Sequence, residues 1–348
     1  MRRKRAIAEG AGCYHVMNRI AGRRMLLDGR WRRRLLDLVR QSAEFSGVEV
    51  FTHAMMGNHF HLLVRVEAPR EVPDEELAAR MASIYTPNQL ERKLADWARW
   101  DANPKMEWRS RDERDRLRRR MFSLPEFVKT FSERFAEEYN RTTGSTGSPW
   151  GQRFKSVLVE KSAATLVPIA AYIDLNPIRA GIAAEPGESA WTGLGAALRG
   201  DRRAREGLAS LLSHAHCIEP MDWEETLSAY RAALDGRLAI DAAKNGDRPR
   251  SAEEKTGPVP GPGGGRKRFD KKEVARKIAA GEALTLFELL RCRVRQFCAG
   301  HAIGSARFAE EAGRRILRRS GMPFAVRCVE LAGVGTAGRV VNAVEIGE

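Results

Sequence analysis

His59, Phe60 and His61 are three consecutive residues whose types can do chemistry. On an extended strand, side chains i and i+2 project to the same face. Both imidazoles then lie on one side, and Phe60 points to the other, towards a core. Two neutral imidazoles side by side chelate a divalent cation. A His-x-His pair on a strand is more often incidental than metal-binding. The run Leu62-Leu63-Val64 that follows nevertheless marks a central strand, and paired histidines in mid-sheet need a polar purpose.

Tyr172, one of five tyrosines, is the second candidate. It lies in Ala170-Ala171-Tyr172-Ile173-Asp174-Leu175-Asn176-Pro177, on a predicted helix. Residues four apart share a helix face, so Asn176 falls beneath Tyr172 and its side-chain carbonyl can complete a metal shell. The same residues also read as a core tyrosine and a helix cap, which for this motif alone is the simpler reading. Asn176 precedes a proline and is biased away from helical geometry. The third candidate is the run from Ser148 to Ser156. Trp150 and Phe154 can stack on bases, with Arg153 and Lys155 as cations; a packed Trp with solvated cations is the alternative. His214-Ala215-His216-Cys217 is a possible metal cluster without a distant partner.

These residues must be positioned by the elements around them. Strands are predicted over 13–20, 48–56, 59–66 and 153–160, and helices over 30–45, 125–141 and 163–176. Gly57-Asn58 turns the second strand into the third. The order matches an α+β, ferredoxin-like split βαβ sandwich, with an antiparallel sheet and helices on one face. The expected units are a first domain over 1–185, with a basic insertion at about 67–123, and a helical extension over 186–244. A Pro/Gly-rich linker over 245–267 then leads to a small helical domain over 268–348, with helices at 270–291 and 307–320.

Composition narrows the function. The 348 residues suit two units, and 43% apolar residues suffice for a core. Lys and Arg number 60 against 45 Asp and Glu, a net charge of +15. That excess points to a polyanionic partner, because each cation set against a phosphate releases counterions. A surface of solvated arginines is the plain alternative. Five cysteines without a close pair argue against a disulfide framework or a Cys-rich zinc site, and fit a reducing cytoplasm. No apolar run reaches the roughly 18 residues of a membrane helix. Arg2 to Arg5 lack the apolar core of a secretory signal and form a phosphate-contacting arm or a solvated tail.

Four blocks in order resemble a known family. They are Tyr14-His15-Val16 with Asn18-Arg19; Met56-Gly57-Asn58-His59-Phe60-His61-Leu62-Leu63; Trp150-Gly151-Gln152-Arg153-Phe154-Lys155-Ser156; and Tyr172 to Gly181. Together they resemble the HUH single-strand DNA transposases with one catalytic tyrosine, and among these the REP-associated tyrosine transposases. The resemblance implies that Tyr172 is the nucleophile, forming a 5′-phosphotyrosine link in single-stranded, hairpin-forming DNA. It implies Mg²⁺ or Mn²⁺ held by His59, His61 and Asn176, with Arg19, Trp150, Arg153, Phe154, Lys155 and Arg179 contacting DNA. The arginines at 109, 111, 114, 116, 118, 119 and 120 read as a hairpin clamp or as a solvated helix. A cytoplasmic, nucleoid-associated enzyme is expected, as monomer or homodimer. The long insertion and the C-terminal segment exceed what a minimal member needs. A domesticated, non-catalytic binder of repeat hairpins and a replication-initiation or relaxase-type nuclease are the competing functions. An RNA-binding module lacks its aromatic pattern.

Overall fold

The computed structural model describes residues 6–245, 302–320, 324–331 and 338–345. In chain order the elements are β1 (Gly12–Arg19), α1 (Gly29–Ser46), β2 (Val48–Met55) and β3 (His59–Val66). The insertion supplies α2 (Asp74–Met81), α3 (Pro87–Asp101) and α4 (Glu107–Arg118). Then come α5 (Leu124–Thr143), β4 (Lys155–Val159), α6 (Ala163–Asp174), α7 (Asn176–Arg179), α8 (Gly193–Leu198), α9 (Arg202–His216) and α10 (Trp223–Asn245). The last are β5 (Ala302–Ser305), α11 (Ala306–Ser320), β6 (Phe324–Leu331) and β7 (Gly338–Glu345).

Local signals set the bounds of the two core helices. The Asp28 carboxylate caps α1 by accepting from the Trp31 amide at 2.9 Å, and Gly47 ends the helix at φ 65°. Ser123 caps α5, with Pro125 in its first turn. Phe127, Phe131 and Phe135 recur every four residues along α5 and are fully buried. Phe60 meets Phe131 edge to face at 5.6 Å, which ties α5 to the sheet.

β1 lies between β3 and β4 and pairs antiparallel with both, while β2 pairs antiparallel with β3. The order β2-β3-β1-β4 with a helix after β1 and another after β3 is the split βαβ arrangement expected from the sequence. Alternation along the strands divides the core. Tyr14, Val16, Phe60, Leu62 and Val64 pack with α1 and α5. Cys13 and Leu63 pack on the opposite face, with residues of α6, α8, α9 and α10.

Helices therefore cover both faces, not one. The second face carries Phe51, Ala54, Val157 and Val159, apolar residues that water would otherwise reach. The extension over 186–244 supplies much of that cover and shares this core. α9 approaches β2 closely where the strand bulges between Val50 and Thr52. A Cβ at Gly207 would lie 2.4 Å from the Val50 carbonyl oxygen and 2.8 Å from that of Phe51.

A buried carboxylate clasps the same layer. Asp174, 2% exposed at the end of α6, accepts from Thr52 Oγ1 of β2 (2.9 Å), the Leu194 amide of α8 (3.0 Å) and Tyr230 Oη of α10 (2.6 Å). Burial outweighs these donors and pushes the carboxyl up from 3.8 to about 6.

The insertion forms three helices whose charges largely face one another. Arg114 pairs with Asp101 and Asp74, and Arg118 with Asp74 and Asp115. Glu113 accepts from Lys93 and from the Trp97 indole at 2.8 Å. Arg120 donates to Thr130 Oγ1 and stacks over Phe45. Arg114, Arg118 and Arg120 thus hold the insertion together and attach it to the core.

The C-terminal segment differs from the expected helical unit. The helix at 307–320 is present as α11, but three strands accompany it. β5 pairs parallel with β4, and β7 and β6 continue the sheet to seven strands. Glu160 fastens this join by accepting from the Ser305 amide (2.6 Å) and hydroxyl (2.7 Å). The linker over 245–267, apart from Asn245 at the end of α10, and the helix at 270–291 lie outside the described residues.

Two outcomes follow. Gly207→Ala should lower unfolding free energy by about 2 kcal/mol, since overpacking against backbone outweighs the gain in helix propensity; chemical denaturation checks this. Asp174 binds its proton more tightly folded than unfolded, so its contribution to stability is fully present below pH 3.8 and is lost as pH rises towards about 6. Denaturation curves between pH 4 and 7 should show this decline in the native protein and lack it in Asp174→Asn.

Candidate active site

The strand register places the histidines. His61 stands opposite Met17 on β1 and Ala54 on β2, and His59 stands opposite Arg19. Their rings are 5.2 Å apart, edge to face, on the face covered by α6. This is the same-side projection that the two-residue spacing predicts. α6 brings Tyr172, 5% exposed, against them: its ring lies 5.9 Å from that of His61 and 5.9 Å from that of His15. His59, His61 and Tyr172 therefore meet within one chain.

His15 entered the sequence reading only within the Tyr14-His15-Val16 block, without a role of its own. It is fully buried on β1, and its Nε2 lies 2.9 Å from His61 Nδ1. The available signal was a histidine between Tyr14 and Val16 on a core strand, alternating with Cys13 and Met17 on the face that carries His61.

Both candidate ligands are neutral at physiological pH. Burial, then Arg19, pushes the His59 imidazole down to about 4. Burial, then His15, His59, Arg179 and Arg19, holds His61 well below 6.5. Metal binding needs the neutral ring, so neither histidine must first lose a proton. His59 Nδ1 is taken by Asn58 Oδ1 at 2.6 Å, and His61 Nδ1 by His15. Among the described residues, no hydrogen bond reaches the remaining nitrogen of each ring, Nε2.

Asn176 is half-buried at the start of α7. Its Nδ2 donates to the carbonyls of Tyr172 (2.9 Å) and Ile173 (3.3 Å), so it caps α6 and turns Oδ1 away from those carbonyls. The donor set suits a divalent cation with an incomplete protein shell: two imidazoles, one amide oxygen, and positions left for phosphate and water. Among the described residues, no three His, Cys, Asp or Glu side chains cluster to hold a metal. His214, next to Glu49 and Phe51, and exposed Cys217 do not form the second cluster considered above.

The remaining candidates divide. The Arg179 guanidinium stacks on Tyr172 at 4.6 Å from the ring centre. Arg19, Arg153 and Lys155 are exposed, Arg19 opposite His59. Trp150 is not an open stacking platform. Its ring packs against Phe60 (5.6 Å) and Phe135 (5.3 Å), and its indole N–H donates to the Ser132 carbonyl at 3.1 Å. Phe154 is half-buried against the same core. Among the described residues the open aromatic ring is instead Trp108 of α4, 61% exposed with Arg109 over it.

Residues 11–86 match the family model described as "Transposase IS200 like". The matched stretch runs from the residue before β1 past α2 and contains His15, His59 and His61 but not Tyr172. No curated protein matches the sequence. Among solved structures, one described as the REP-associated tyrosine transposase bound to a REP hairpin overlaps 57% of this chain and 86% of its own, at 12% identity and a TM-score of 0.33. An overlap that loose adds nothing to what the site itself says. Among the described residues no helix is long and apolar enough to cross a membrane.

Trp150→Ala should act as a core truncation. It should lower unfolding free energy by about 3 kcal/mol or more, whereas Arg153→Ala should leave stability within about 0.5 kcal/mol. Thermal denaturation of both variants checks the contrast.

Proposed function

We propose that the protein is a transposase-type DNA strand transferase that cuts and rejoins single-stranded, hairpin-forming DNA, with Tyr172 as nucleophile. The observation that carries this reading is the Tyr172 ring packed 5.9 Å from His61, on the face that His59 and His61 share. The family match over residues 11–86 supports the class of chemistry. The sequence resemblance to REP-associated enzymes supports the hairpin substrate.

Tyr172 Oη attacks the phosphorus of a phosphodiester. An O–P bond forms as the P–O3′ bond breaks. The phenolic proton passes to solvent and O3′ takes one up, leaving a 5′-phosphotyrosine and a free 3′-OH. One diester has replaced another, so a later 3′-OH can reverse the step without ATP. A phenol with pKa near 10 is a weak nucleophile at neutral pH. The Arg179 cation stacks over the ring and orients it. Arg19, opposite His59 on β1, would meet a phosphate oxygen.

A divalent cation held by His59, His61 and Asn176 Oδ1 would polarise the scissile phosphate and stabilise charge on its oxygens. Imidazoles suit Mn²⁺ better than Mg²⁺, which prefers oxygen.

Incubation with labelled single-stranded hairpin DNA and Mn²⁺ should give a protein–DNA adduct that survives denaturation. The adduct should vanish in Tyr172→Phe; its persistence there would place the nucleophile elsewhere. His59→Ala should abolish cleavage while DNA affinity changes little; equal loss of both would count against a catalytic metal.

A further inference from the structure

We propose that His15 is a positioning residue: it accepts a hydrogen bond from His61 Nδ1–H and so holds that ring in the tautomer whose Nε2 lone pair is open to a cation. The proposal deepens the metal-dependent reading above and rests on it.

The geometry comes from the sheet. His15 stands opposite Leu63, so His61 is its diagonal neighbour across the β1–β3 ladder. The two rings lie with planes 22° apart and centres 5.1 Å apart, and the bonded nitrogens are 2.9 Å apart. His15 is 0% exposed and His61 5%. A buried ring nitrogen left without a partner is costly, so this bond is made in one direction or the other.

The two directions have opposite consequences. If His15 Nε2–H donates, the neutral His61 carries its own proton on Nε2 and offers no lone pair there. If His61 Nδ1–H donates, Nε2 is open.

The neighbouring histidine shows which arrangement the site builds. Asn58 Nδ2 donates to the Arg23 carbonyl at 3.1 Å, which fixes the amide so that Oδ1 faces His59. Oδ1 can only accept, and it lies 2.6 Å from His59 Nδ1. His59 therefore carries its proton on Nδ1 and keeps Nε2 open. With His15 as acceptor, His61 does the same, and both imidazoles present the same nitrogen. Metal-bound histidines commonly donate their second ring N–H to an oxygen acceptor. Here the acceptors are an amide and a third imidazole.

Long-range ¹H–¹⁵N spectra of the metal-free, unaltered protein test this without any substitution. The expected result is a protonated Nδ1 and an unprotonated Nε2 for His59 and His61; a protonated Nε2 on His61 overturns the proposal. Mn²⁺ affinity, followed by electron paramagnetic resonance, is the second readout. His15→Phe fills the space without an acceptor and should weaken Mn²⁺ about 10- to 100-fold. His15→Gln restores an acceptor and should recover most of the loss. If His59→Ala loses Mn²⁺ while His15→Phe binds it like the native protein, the positioning role is wrong and the metal reading stands. If the native protein binds no Mn²⁺, both fail.

Discussion

The antiparallel pairing of β1 with β3 is the constraint on which the site depends. It fixes which side chains share a face, because the strand period is two. Phe60, Leu62 and Val64 go into the α1–α5 core, and that burial holds the register. A slip by one residue would send the histidines into the phenylalanine cluster and Phe60 towards α6. The apolar packing on one face therefore specifies the polar chemistry on the other. His15 and His61 meet only because their strands are locked in this register.

The second constraint is the anchoring of α6. A nucleophile on a helix is only as well placed as the helix. Asp174, one half-turn beyond Tyr172, reaches β2, α8 and α10 through three hydrogen bonds. Burying a carboxyl is costly, and its raised pKa records that cost. The result is a layer over the histidine face in which Tyr172 packs at a fixed distance from His61. Gly207, which lets α9 lie against the β2 backbone, belongs to the same layer.

The core topology was legible because its signals are local. Asp28 and Gly47 mark the ends of α1, Ser123 and Pro125 mark the start of α5, and Gly57-Asn58 mark the hairpin. The His59/His61 pair follows from strand periodicity alone. His15 was not legible as its partner, since 46 positions separate it from His61 and only the ladder joins them. The partners of Arg114 and Arg118 were not legible because their acceptors, Asp101 and Asp74, stand outside the basic run. Trp150 left both readings open because an aromatic near cations has the same composition whether it stacks on a base or packs on Phe135. The strands after α11 were missed although Val326, Val329, Val340, Val341 and Val344 carry a β signal. The cover of the second sheet face was missed because sequence periodicity shows that a helix has an apolar side, not what that side meets.

The central claim is that one chain brings a cation site at His59 and His61 against Tyr172. The direct measurement is ¹⁹F NMR of the protein labelled with fluorotyrosine, titrated with Mn²⁺. The five tyrosines give separate probes. Paramagnetic broadening should fall first and hardest on Tyr172 and disappear in His59→Ala. A Tyr172 resonance that stays sharp while Mn²⁺ binds, or one broadened no more than Tyr139 on α5, would contradict the account.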